Sequence, residues 1–224
     1  MNSENPTLLR SYGRRHGRKL RAGQAALVET LLPQLLITLP PENMFADPSL
    51  PVWFEIGFGA GEHLVEQARQ NPGINFIGCE PYVNGMASLL AAIERDALKN
   101  IRLYGGDARL LLSELADNSL ERIFVLFPDP WPKARHHKKR IISRNSLELF
   151  YRKLTMGGLL RIATDHEDYC IWILENLLAF RKFEWRAKTQ DDWNNPPQDW
   201  VATRYQAKAE AEGRRAVFLD WIKY

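Results

Sequence analysis

Cysteine is nearly absent from this chain. Cys79 and Cys170 stand far apart, too few for a disulfide framework or a zinc site and in keeping with a reducing cytosol. Long apolar runs are missing too. The longest stretch without a charged residue, 81–93, falls well short of the ~18–20 residues a spanning helix needs, so no membrane segment is expected. The arginine-rich N-terminus has no apolar core and no small-residue cleavage site, so no secretory signal is expected; an organellar transit peptide stays open as a reading, with the scarcity of serine against it. His16, His63, His136, His137 and His166 show no metal-ligand spacing, and no metal is expected. Internal repeats and low-complexity segments are also lacking.

What is present is a globular composition: 224 residues, 45% hydrophobic, 11% aromatic and 25% charged, a size that single α/β domains reach. The net charge of +3 is small but unevenly spread. Residues 10–21 carry Arg10, Arg14, Arg15, Arg18, Lys19 and Arg21 without an acid. Residues 133–144 carry Lys133, Arg135, Lys138, Lys139, Arg140 and Arg144, again without an acid. The rest of the chain is acidic, and neither window has an apolar face. That pattern is a polyanion footprint of the nucleic-acid kind, not of the membrane kind. Residues 1–24 read as a basic, flexible RNA-binding arm ahead of one domain, 25–224.

Residues 25–36 read as a short helix, followed by a proline-marked loop. From residue 52 short β-branched and aromatic runs (52–59, 75–81, 101–107, 122–129, 158–165) alternate with helical periodicity (62–70, 83–99, 110–116, 146–154). A further helix is expected over 165–180 and closing strands over 183–188 and 216–224. Such βαβ units build a mostly parallel sheet with helices on both faces, whose ligands bind beyond the carboxyl ends of the strands. Five acids stand there: Glu55, Glu80, Asp107, Asp129 and Asp165.

The first strand runs into Glu55-Ile56-Gly57-Phe58-Gly59-Ala60-Gly61. The third glycine falls out of phase with a dinucleotide fingerprint, which disfavours a nicotinamide enzyme, and the acid at Glu55 would repel a pyrophosphate and suit a cationic ligand. Glu80 stands where an acid binds ribose hydroxyls in nucleotide-binding sheets. Asp107, followed by Ala108, offers an acceptor for an adenine amino group. This E-x-G-x-G-x-G loop with its strand-end acids resembles the class I S-adenosylmethionine-dependent methyltransferases. The resemblance implies a Rossmann-like fold with a mostly parallel seven-stranded sheet and an antiparallel C-terminal strand.

Strand four ends in Phe127-Pro128-Asp129-Pro130-Trp131-Pro132-Lys133, followed by Arg135-His136-His137-Lys138-Lys139-Arg140. With the N-terminal GRRHGR string and Thr164-Asp165, this closely resembles the bacterial tRNA (guanine-N7)-methyltransferase family, which modifies guanine 46 in the tRNA variable loop. The resemblance covers nearly the whole chain. It implies S-adenosylmethionine contacts at Glu55, Gly57, Gly59, Glu80, Asp107, Ala108 and Asp129, with Asp129 also the catalytic carboxylate. It further implies substrate contacts at Lys133, Asp165, Thr203, Arg204, Tyr205 and Gln206, and RNA contacts at Arg135, His136, His137, Lys138, Lys139 and Arg140. The implied partner is tRNA, the setting the cytoplasm, and no obligate protein partner is expected. Another S-adenosylmethionine-dependent RNA methyltransferase, or a non-catalytic RNA-binding protein on this scaffold, is the competing reading. The intact Asp129 and glycine loop argue against the non-catalytic one.

The chemistry suits these residue types. Guanine N7 is a neutral lone pair that needs no general base, so positioning and a carboxylate beside the migrating charge suffice. In A-form RNA that atom lies in a deep, narrow groove, so the base must be unstacked or in a loop. Trp193, Trp200 and Tyr205 can wall such a base, or the tryptophans can anchor the loop that carries them; both readings stand. Trp53, Trp172 and Trp221 read as core. One residue departs from the family's T-x-[FY]-E string: Gln206 stands in place of its acid. If Gln206 faced the base, Gln206→Glu would be expected to raise kcat/KM.

Overall fold

The structure, a computed structural model, describes Arg15 and residues 17–224. Arg10, Arg14 and His16 of the first basic window, with most of the expected arm, lie outside the described residues. Helix α1 (Ala22–Thr30) begins inside the segment expected to be an arm, and α2 (Leu32–Leu35) follows after Leu31. Leu27, Val28 and Leu31 pack against the core.

The elements then run β1 (Val52–Ile56), α3 (Glu62–Gln70), β2 (Asn75–Cys79), α4 (Val83–Arg95), β3 (Ile101–Tyr104), α5 (Ala108–Glu114) and β4 (Leu120–Leu126). A 3₁₀ turn (Ala134–Lys139) leads to α6 (Arg144–Lys153), β5 (Leu154–Thr164), α7 (Glu167–Phe180) and β6 (Phe183–Trp185). Helices α8 (Asp191–Asn194) and α9 (Arg204–Ala211) and strand β7 (Val217–Lys223) close the chain. The seven strands form one sheet in the order β3-β2-β1-β4-β5-β7-β6, with β7 antiparallel to both its neighbours and the other pairs parallel. This is the expected sheet. Among the described residues no helix is long and apolar enough to cross a membrane.

Alternation along β1 sends Trp53 and Phe54 to opposite faces. Phe54 joins Leu111, Phe150 and Tyr169 from α5, α6 and α7, whereas Trp53 joins Leu64, Leu89 and Leu90 from α3 and α4. The loop after β1 leads to α3 on one face, and the loop after β4 leads to α6 on the other. Between these neighbouring strands the connections diverge, and the crevice they leave is where such sheets bind ligands.

The strands stop short of their expected ends. β2 and β4 finish at Cys79 and Leu126, each two residues before a proline with no N–H for the ladder, while β3 and β5 finish at Tyr104 and Thr164, where the chain turns toward the next helix. Glu80, Asp107, Asp129 and Asp165 therefore sit on loops just past the sheet, free to face a ligand. Glu55 alone stays within its strand.

Candidate active site

The loop after β1 turns on glycines with left-handed backbone: Gly57, Gly59 and Gly61 have φ of 73°, 57° and 84°, which L side chains rarely adopt. Helix α4 lies so close that a Cβ on Gly85 would stand 2.2 Å from the carbonyl oxygen of Gly59. Beside this contact Glu80 is held by two backbone donors, Gly59 N–H and Tyr82 N–H, each at 2.9 Å. Burial pushes the Glu80 carboxyl above the usual carboxylate range, the two N–H groups oppose this, and the charges of Asp129 and Glu55 add to the rise.

Asp107 caps α5, accepting the Arg109 N–H at 3.0 Å, and its carboxylate also takes the Arg109 guanidinium at 2.9 and 2.6 Å. Burial works against its ionisation, but the bonds and charge of Arg109 outweigh that and hold the carboxyl below its ordinary range. An incoming amino group would thus share Asp107 with Arg109, a competitor that the strand-end pattern alone does not disclose. Asp129 has the opposite balance: burial alone pushes its carboxyl up.

These groups line one cavity of about 430 Å³ at the crevice, together with Gly57, Ala108, Phe127, Trp131 and Lys139. The volume is within the range of small-molecule sites. Gly59 is not among its walls; its part is to hold Glu80. Glu55 is not among them either. Its buried carboxylate meets Nδ1 of His63 at 2.8 Å, and the His63 ring packs on Phe124. His63, expected to be a surface or packing residue, is therefore the partner of Glu55. A histidine eight positions after an acid, across a glycine turn, was the available signal. Burial makes ionisation of Glu80 and Asp129 costly, and the positive charge of a sulfonium and its amino group would offset that cost. The residues fit S-adenosylmethionine.

On the open side stand the residues expected to meet the substrate. Asp165 accepts from the Tyr205 hydroxyl at 3.4 Å and from the guanidinium of Arg214, which the sequence does not single out because an arginine pair past α9 carries no pattern of its own. The Tyr205 ring leans on Phe127 with centroids 5.1 Å apart. Thr203 caps α9, accepting Gln206 N–H at 3.2 Å, and Arg204 ties the helix to Glu62 at the start of α3 through its backbone N–H, at 2.8 Å, and its guanidinium. Arg204 thus serves a neighbouring helix. Gln206 is buried and turns away from the cavity: Oε1 accepts from Trp200 at 2.7 Å and Nε2 donates to Glu210 at 2.8 Å. The expected pocket contact at Gln206 is corrected accordingly, because both ends of its amide are engaged.

Trp200 also packs edge-on against Phe218 and Trp193 against Trp185, so both tryptophans anchor the loop and Tyr205 is the aromatic left open. Asp199, just before Trp200, bridges Arg161 at 2.7 Å and Arg122 at 2.6 Å and pins the loop to the sheet.

The basic stretch divides in two. Lys133, Arg135 and Lys138 are exposed, and His136 meets Trp131 edge-on. The Lys139 ammonium lies 4.4 Å from the Trp131 centroid at the cavity wall. His137 packs on Trp172 with Nε2 buried, and Arg140 is buried as well. The expected RNA contact at Arg140 is corrected, and His137 turns one ring nitrogen inward: a 3₁₀ turn repeats about every three residues, so part of any stretch faces the core. From the other window, the Arg15 carbonyl accepts from Val83 N–H, while Gly17 N–H and the Arg18 carbonyl bind the Asn84 side chain, beside Tyr82 of the cavity. Both windows reach one rim. Among the described residues no cluster could hold a metal ion.

Comparison with known proteins bears on this geometry. A family described as "Putative methyltransferase" matches residues 49–219. The tRNA (guanine-N(7)-)-methyltransferase of Chelativorans sp. (strain BNC1) is 44% identical, over 95% of this chain and 94% of its own length. Its counterpart in Zymomonas mobilis subsp. mobilis is 47% identical, over 96% and 94%. Among solved structures, the 16S rRNA methyltransferase KamB superposes with a TM-score of 0.60 at 14% identity, over 84% of this chain and 99% of that one. Precorrin-6y C5,15-methyltransferase from Geobacter metallireducens gives 0.52 at 13%, over 93% and 94%. These two establish the fold alone. With near-complete coverage by relatives of such identity, the chain belongs to the tRNA (guanine-N7)-methyltransferase family of S-adenosylmethionine-dependent enzymes.

Proposed function

We propose that this enzyme methylates N7 of guanine 46 in the variable loop of tRNA, acting in the cytoplasm without an obligate protein partner. The observation that carries the reading is the position of Asp129, a carboxylate with a raised pKa on the wall of the cofactor cavity, which Phe127 of the Phe127–Tyr205 pair lines as well. S-adenosylmethionine, held in the cavity lined by Glu80, Asp107 and Ala108, would supply an electrophilic methyl group to the neutral guanine N7.

Each residue then has a task. Glu80, oriented by Gly59 and Tyr82, holds the ribose hydroxyls, and Asp107 with Ala108 takes the adenine. Asp129 lies beside charge that passes from sulfur to purine and moves no proton, since N7 carries none. Phe127 and Tyr205 give the unstacked guanine a surface to lie on, with Asp165, set by Arg214, at its edge. Lys133, Arg135 and Lys138 face the RNA backbone.

Mass spectrometry of nucleosides from tRNA incubated with the enzyme and S-adenosylmethionine tests the activity. 7-Methylguanosine mapped to position 46 supports the reading, and its absence from every tRNA tried rejects it.

A further inference from the structure

Arg140 closes the basic stretch, yet only 3% of it is exposed. Its guanidinium lies between the rings of Tyr169 and Trp172, 4.9 and 5.0 Å from their centroids. Nε donates to the carbonyl of Pro130 at 2.8 Å, and Nη2 donates to the Asp168 carboxylate. Both rings and the acid belong to the start of α7. One side chain thus joins α7 to the centre of the loop that bears Asp129.

That loop needs an outside hold. Phe127 and Trp131 have φ of 50° and 43°, although each is bulky and each precedes a proline, which favours extended backbone. Such conformations persist only where the surroundings over-determine them. At one end the Phe127 N–H donates to the Ala163 carbonyl on β5 at 2.8 Å. Pro128, Pro130 and Pro132 have no N–H to give. Arg140 holds the middle of the loop through a carbonyl, that of Pro130.

We propose that Arg140 is a positioning residue for Asp129, acting through the Pro130 carbonyl, and not a phosphate contact. The inference rests on Asp129 being the catalytic carboxylate. It makes the arginine irreplaceable by lysine. A single ammonium cannot present a planar fork to a carbonyl and a carboxylate while lying flat between two rings.

The test measures kcat, KM for tRNA and the salt dependence of tRNA affinity in R140K and D168N. R140K is expected to lower kcat about 10- to 100-fold, the scale of a small misplacement of a catalytic group, with KM within about twofold of wild type. Its salt slope stays that of wild type. D168N alters a side chain 58% exposed, loosens the same clamp from its surface end, and lowers kcat by a smaller factor. If R140K fails to fold, D168N decides alone. Wild-type kcat in the folded variants overturns the inference. So does a salt slope shallower by roughly 0.7–0.9 in R140A with kcat preserved, the signature of a lost phosphate contact. A wild-type enzyme that methylates no tRNA overturns the proposed function instead, so the two failures are told apart.

Discussion

The indole N–H of Trp200 donates to Oε1 of Gln206 at 2.7 Å, while Nε2 of the same glutamine donates to Glu210 at 2.8 Å. A glutamine is the side chain that satisfies both neighbours, because it offers an acceptor and a donor at once. In Gln206→Glu the donor is lost and a second carboxylate faces Glu210 in a buried site; in Gln206→Ala the Trp200 N–H loses its acceptor. Each variant is expected to lose about 1–2 kcal/mol of stability in urea unfolding, without any gain in kcat/KM. This reverses the gain expected from the sequence. A Gln206→Glu variant of unchanged stability and several-fold higher kcat/KM would place the side chain at the base after all.

Asp129 should trade stability for turnover. Its raised pKa means that folding disfavours the ionised form. The associated stability is complete well below the ordinary carboxylate pKa and is lost as pH rises through the raised value. At pH 7 the wild type bears this cost and Asp129→Asn does not. The variant is expected to turn over at least ~100-fold more slowly. Its ligand-free form should melt slightly higher, by an amount that solvent screening at this exposed side chain keeps small. Scanning calorimetry and single-turnover rates check both arms. A lower melting temperature with normal turnover contradicts the assignment.

Cofactor affinity should depend on pH through Glu80. A cationic ligand prefers the ionised carboxylate, whose pKa stands above the ordinary range chiefly through burial. As pH falls through that range, S-adenosylmethionine should bind more weakly, and the uncharged thioether product should lose less. Glu80→Ala should weaken binding by about 2–3 kcal/mol and flatten the profile. Titration calorimetry from acid to neutral pH decides, and affinities independent of pH in the wild type would remove Glu80 from the site.

The exposed members of the basic stretch should account for its share of RNA binding. Neutralising Arg135 and Lys138 together is expected to make the log–log salt slope of tRNA affinity shallower by roughly 1.4–1.8, two contacts at about 0.7–0.9 each. KM should rise and kcat should stay near wild type. An unchanged slope would mean that these two side chains are only solvated.

The order of strands and helices was legible because alternation and helical spacing are written locally, and four of the five acids, Glu80, Asp107, Asp129 and Asp165, do stand just past strand ends. Helix α3 was expected over 62–70 and spans Glu62–Gln70. Helix α9 was not foreseen: it is short and polar, and it is held by Glu62, far off in the sequence, through Arg204, and by Trp200, just before the helix, through Gln206. The same blindness affected Arg140. A run of basic letters looks alike whichever member turns inward, and the choice is made by Tyr169, Trp172 and Asp168, about thirty positions on. Glu55 was read as a ligand contact because its loop suggested one, while the partner that engages it lies across the turn.

The left-handed residues on either side of Asp129 have a consequence for how far the PDPW motif can travel. A free peptide of residues 127–132 would relax into extended, polyproline-like forms, since neither Phe127 nor Trp131 keeps its φ unaided. Spliced onto the strand end of another sheet, without a counterpart of Ala163 beside it or a guanidinium beneath it, the same letters would display an aspartate in many directions. The motif is thus an address readable in six residues, whereas the shape it denotes is distributed over β5, the 3₁₀ turn and α7, and only a transplant that carries all three would bring the shape along.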